Sequence, residues 1–139
     1  MNTTNFDYSQ YTEFRKHFNS KTRSIKSFIK NWCIKKANTV LEKVKDRTPV
    51  DTGLLLASWQ DPKLKISGNV IEIIFENTAD YAGYVEFGHN TRGHAGEPIG
   101  GVHWVEGRFM LTVPLQDFQR DIQAEFGTAI WSYIVRNYS

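Results

Sequence analysis

Apolar residues along the chain keep two different rhythms. From Lys21 to Asp46, Ile25, Phe28, Ile29, Trp32, Cys33, Ala37, Val40, Leu41 and Val44 recur at steps of three and four, the spacing of one face of an amphipathic helix. Lys26, Lys30, Lys35, Lys36, Lys43 and Lys45 mostly fall between them, on the wetter side. Ser20 or Thr22 can cap the start. The helix must stop near Arg47, because Pro49 pushes Thr48 out of the helical region. Upstream, Tyr11, Phe14 and Phe18 also have helical spacing, so residues 1–20 read as either a flexible arm or a short helix.

The middle of the chain switches to strand character. Leu54 to Gln60 reads as a strand, Asp61-Pro62 as a turn, and Lys63 to Ile66 as a second strand. Ser67-Gly68-Asn69 turns the chain into Val70-Ile71-Glu72-Ile73-Ile74-Phe75-Glu76, which is β-branched and aromatic. Tyr81 to Phe87 is too short for periodicity to choose between strand and helix. Residues 88–103 then read as a long mobile loop, since Gly88 to Gly101 holds five glycines and one proline in fourteen residues. Val102 to Val105 suggests one more short strand. A last helical stripe runs through Leu115, Phe118, Ile122, Phe126, Ile130, Tyr133 and Ile134, with Thr112 as its cap and Pro114 in its first turn. The expected fold is α+β in a single domain over residues 1–139. A long N-terminal helix and a C-terminal helix pack on a small, mainly antiparallel sheet with a long glycine-rich loop.

Composition narrows the class. Hydrophobic residues make up 40% and charged residues 23%, the balance of an ordinary soluble domain rather than of a disordered or fibrous chain. No apolar run approaches the roughly 20 residues that span a bilayer, and MNTTNFDYSQ has no basic region followed by an apolar one, so neither membrane nor secretory signal is expected. The single cysteine, Cys33, fits a reducing compartment. The net charge of +2 hides two unlike parts. Up to Thr48 there are eleven Lys/Arg against four Asp/Glu, a net +7, and from Pro49 onward six against eleven, a net −5. Such a split suits charged partners or contacts between copies of the chain.

Catalytic chemistry finds little support. Cys33 sits on the apolar stripe and reads as a buried structural thiol. His89, His94 and His103 cluster near Glu86, Glu97 and Glu106, but their spacings of five and nine match no metal motif. There is no G-x-S-x-G, P-loop or dinucleotide fingerprint. Neither a metal nor a cofactor is expected. The lysine-rich helix could bind DNA, with Phe28 and Trp32 stacking on bases, although both share the stripe with Ile25 and Ile29.

Two stretches are more specific than composition. The first is Thr48-Pro49-Val50-Asp51-Thr52-Gly53-Leu54-Leu55-Leu56-Ala57-Ser58-Trp59, a helix stop followed by a turn in which Gly53 permits positive φ. The second is Tyr81-Ala82-Gly83-Tyr84-Val85-Glu86-Phe87-Gly88-His89, continuing through Thr91-Arg92-Gly93 to Trp104-Val105-Glu106-Gly107-Arg108-Phe109-Met110-Leu111. In this order, from about Val40 to Leu115, they resemble the tail-completion (head–tail joining, or neck) proteins of long-tailed bacteriophages and prophages. The chain departs from that pattern in two places. Leu54 and Leu56 stand where the family often carries Arg or Lys, and the segment between Arg92 and Trp104 is longer.

The resemblance implies a minor virion component rather than a catalyst. It would be assembled in the host cytoplasm and placed in the neck as a ring of copies, with a hexamer as first guess. Implied partners are further copies, the head connector or adaptor, the tail terminator or tail tube, and DNA passing without sequence specificity. Interface candidates are Asp51, Thr52, Gly53, Tyr81, Tyr84, Glu86, Phe87, Gly88, His89, Arg92, Trp104 and Arg108. Glu86 is expected to pair with Arg92, Arg108 or a neighbour's lysine, and Asn90 to Val102 to order on a partner. The competing expectation is a prophage-encoded DNA-binding protein using the lysine-rich helix.

Overall fold

The computed structural model describes residues 2–7, 22–92 and 102–138. The order of elements is β1 (Asn2–Asp7), α1 (Thr22–Arg47), α2 (Leu54–Ala57), β2 (Lys63–Ser67), β3 (Val70–Phe75), α3 (Ala82–Phe87), β4 (Gly88–Arg92), β5 (Val102–Glu106) and α4 (Thr112–Tyr138). This is the α+β architecture that the two rhythms of the sequence imply.

The long helices pair antiparallel along the stripes read from the sequence. Phe28 stacks on Tyr133 with ring centroids 4.3 Å apart, and Trp32 meets Phe126 at 5.2 Å. At this end the Ser24 and Tyr133 hydroxyls share a hydrogen bond of 2.7 Å. Lys36 bridges to Glu125 on the wetter flank. Hydrogen bonding from Arg120 holds the Asp121 carboxyl below its usual range, with the charges of Arg120 and Lys43 acting in the same direction. The halves of opposite charge therefore meet, in part, inside one chain, where the sequence pointed to contacts between copies. The two aromatics considered for stacking on bases are occupied with α4.

A three-stranded antiparallel sheet of order β1-β3-β2 closes the core. On β3, Ile71, Ile73 and Phe75 are buried and alternate with Val70, Glu72 and Ile74, the period-two pattern of a sheet with one face on a core. The turn between β2 and β3 is two residues long, and Gly68 supplies the φ of +57° that its first position needs. β4 and β5 form a separate two-stranded hairpin.

Three expectations are revised and one open choice is resolved. Leu54 to Gln60 is not a strand: α2 occupies Leu54–Ala57, because Leu-Leu-Leu-Ala holds strong helix formers and no β-branched residue. What remains of sheet pairing there is one bridge, Trp59 to Asn77. The arm expected over residues 1–20 begins as β1, which completes the edge of β3; residues 8–21 lie outside the described residues. Tyr81 to Phe87 resolves as helix α3. The loop expected over 88–103 starts and ends inside the β4–β5 hairpin, and residues 93–101 lie outside the described residues.

Cys33 lies within the core, and burial pushes its thiol from the ordinary 9.0 up to about 12. A thiol whose folded value is raised adds stability that is complete below about pH 9 and lost as pH rises toward about 12. Native protein at pH 8 is expected to leave Cys33 unalkylated by a maleimide until urea unfolds it. The fall in unfolding midpoint above pH 9 should be shallower in Cys33→Ala. Labelling of the native chain at the rate of a free thiol would contradict this burial.

Candidate functional interface

The two motif stretches fold into two joints, each held by a buried polar residue. In the first, the Thr48 hydroxyl donates to the Val44 carbonyl at 2.7 Å and accepts from the Trp59 indole at 2.9 Å. It thereby ties the end of α1 to Trp59, two residues beyond α2. Gly53 at φ +83° and the Thr52 hydroxyl, which accepts from the Leu54 amide at 3.3 Å, start α2. Asn77 donates to the Leu55 carbonyl at 2.9 Å and accepts from the Ala79 amide at 2.9 Å, so the strand exit is fastened to the same turn.

The second joint surrounds Glu86, whose side chain is buried. Its carboxylate accepts from the Leu111 amide at 3.0 Å, from the Thr112 amide at 2.8 Å and from the Thr112 hydroxyl. A carboxylate carried by α3 thus caps the N-terminus of α4, where the orphan amides and the helix dipole favour negative charge. The carbonyls of Val85 and Glu86 accept from the amides of Arg108 (2.7 Å) and Phe109 (3.1 Å). Arg47 reaches across from the end of α1 to the carbonyls of Phe109 and Arg108, at 3.3 Å each.

Two glycines let these backbones touch. A Cβ on Gly107 would lie 2.5 Å from the Glu86 carbonyl oxygen, and one on Gly88 would lie 2.5 Å from the Val105 oxygen, with φ +85°. The glycines of YVEFG and WVEG are therefore packing requirements where the two segments cross.

Leu55, Trp59, Met110 and Leu111 of the motifs join the core, while other apolar motif residues remain outside. Val50, Leu54, Tyr84, Phe87 and Trp104 are each more than half exposed, and Tyr81 more than a third. A groove of about 490 Å³ is lined by Pro49 to Leu55 with Tyr81 and Val85. Tyr84 meets His89 edge-on at 5.6 Å, and the Trp104 ring lies beside Gly88. These contacts carry the surface from the Pro49 turn across α3 to the hairpin.

The candidates from the sequence divide accordingly. Asp51, Thr52, Gly53 and Tyr81 come together at the groove, and Tyr84, Phe87, Gly88, His89 and Trp104 sit on α3 and the hairpin. Glu86 is a correction. Its carboxylate is buried and accepts from the Leu111 and Thr112 amides and the Thr112 hydroxyl, rather than pairing with Arg108 of the same chain. Arg108 contributes its backbone to the joint, with its side chain exposed. Arg92 lies in β4, and its side chain is outside the described residues. Sequence reasoning missed Val50 and Leu54, as well as the clamp made by Arg47. Of the three consecutive leucines only Leu55 is buried, a distinction that appears once α2 is read as helix.

Among the described residues, no group of three His, Cys, Asp or Glu side chains is placed to hold a metal ion, and no helix is long and apolar enough to cross a membrane. The arrangement is that of a protein built for contact: a rigid frame presenting aromatic and aliphatic side chains. The chain belongs to the HK97-gp10-like family of bacteriophage tail components, whose family model matches residues 8–88. It is thereby a phage tail component, a structural protein of the virion. No curated protein and no solved structure matches it.

Replacing Glu86 by Ala leaves two helix-start amides without their charged acceptor and is expected to cost about 2–3 kcal/mol. Glu86→Gln keeps an acceptor and should cost less. Gly107→Ala, which forces backbone against backbone, should destabilise at least as much as Glu86→Gln. Urea unfolding of the three variants checks the order; a loss below about 0.5 kcal/mol for Glu86→Ala would remove the cap from the account.

Proposed function

We propose that this tail component is a ring-forming subunit of the neck, which completes the tail by joining it to the head connector. The supporting observation is a division within its motifs: polar Thr48 and Glu86 are buried at the two joints, while apolar Val50, Leu54, Tyr81, Tyr84, Phe87 and Trp104 are exposed. Exposing that much aromatic surface is unfavourable for a solitary domain and suits a surface that a partner covers. Tyr and Trp are also the residues that most often anchor protein contacts.

In this reading the groove from Pro49 to Leu55, α3 and the β4–β5 hairpin form one docking surface. The candidate partners are the next copy, the connector or adaptor, and the tail terminator or tube. The ring, a hexamer as first guess, surrounds DNA that passes without sequence-specific contacts. Neighbours in such a ring meet through unlike surfaces. The DNA-binding alternative is weakened because Phe28 and Trp32 are engaged with Tyr133 and Phe126.

Tyr84→Ser and Phe87→Ser remove exposed rings, so stability should change little. Each lost anchor is expected to weaken docking by about 2 kcal/mol, roughly thirtyfold. In a complementation assay, phage carrying the double variant should accumulate unjoined heads and tails. Full heads joined to tails at the wild-type titre would overturn this assignment.

A further inference from the structure

Among the described residues the outer edges of β1, β2, β4 and β5 pair with no further strand, and those of β2 and β5 complement each other. The first is the outer edge of β2. Ser67 and Val70 flank the two-residue turn and form the hydrogen-bonded closing pair of the hairpin, so Lys63, Lys65 and Ser67 bond to β3. The backbone groups of Leu64 and Ile66 then point outward. Ile66 is half exposed, and Lys65 gives the strand positive charge, while Lys63 bridges to Glu76 at 3.5 Å. An edge of this kind is a template for another strand.

The second edge belongs to β5. His103, Trp104, Val105 and Glu106 are all exposed, although they alternate between the two faces of the hairpin. A two-stranded hairpin with apolar residues on both faces is marginal by itself. β5 has the same length as β2, five residues, and ends in an acidic side chain where β2 begins with a basic one.

We propose that β5 of one copy adds antiparallel to the outer edge of β2 in the next copy, extending the sheet to five strands across the subunit boundary. In that register Glu106 comes to Lys63 and Lys65 on one face, and Val105 comes to Leu64 and Ile66 on the other. The hairpin and the β2 edge are unlike surfaces of one chain, so the contact is head-to-tail and propagates around a ring. This inference rests on the reading above that copies assemble, and it names the edge by which they do so.

Three variants test it, read by sedimentation velocity across a concentration series with circular dichroism as the check on folding. Ile66→Pro removes an outward amide, at a position where an edge strand tolerates proline, and should weaken self-association by about tenfold or more. Lys65→Glu and Glu106→Lys should each weaken it as well, and the combined charge swap should recover most of the loss. Rings that form equally well in all three single variants, or a swap that recovers nothing, would overturn the strand addition and leave ring assembly standing. A wild-type chain that stays monomeric at every concentration, and alongside its virion partners, would overturn both. Because Lys65 and Glu106 are exposed, the swap remains decisive if Ile66→Pro fails to fold.

Discussion

The buried carboxylate of Glu86 is the constraint on which the rest of the fold depends. It is buried where the Leu111 and Thr112 amides converge on it at the start of a 27-residue helix. To bring them there, the chain crosses itself at Gly88 and Gly107 with no room for a side chain. The short helix that carries Glu86, the hairpin that leaves from Gly88 and the start of the final helix are thereby fixed relative to one another. Arg47 adds the end of the first helix to the same point.

That constraint explains why the surface is what it is. A six-residue helix committed inward through Glu86 has to present Tyr84 and Phe87 outward. The Thr48–Trp59 joint acts similarly on the preceding turn: the indole and Leu55 go in, while Val50 and Leu54 come out. The two exposed sets then meet along the groove beside Tyr81. Motif and contact surface are two sides of one construction, in which the polar residues hold the frame that displays the apolar ones.

Much of this was legible in the sequence. Both long helices and strands β2, β3 and β5 follow directly from periodicity, because their buried faces repeat over enough residues to be seen. From the sequence, Leu54 to Ala57 reads as strand and Tyr81 to Phe87 stays open, since one turn of helix has no period to detect. Glu86 reads as the partner of a basic side chain for a related reason. Its partners are backbone amides about 25 positions downstream, and backbone amides leave no trace in a sequence. The split of charge was visible, but its partial closure between Lys36 and Glu125 depends on how the two helices face each other.

The central claim is that the exposed aromatic surface is covered in the assembled particle. Hydroxyl-radical footprinting of the isolated chain and of intact virions tests it most directly, since side-chain oxidation reports solvent contact residue by residue. The account predicts that Tyr81, Tyr84, Phe87 and Trp104 react readily in the isolated chain and are strongly protected in the virion, while Phe75 and Phe126 stay protected in both. Equal reactivity of the four exposed aromatics in the virion and in the isolated chain would contradict it.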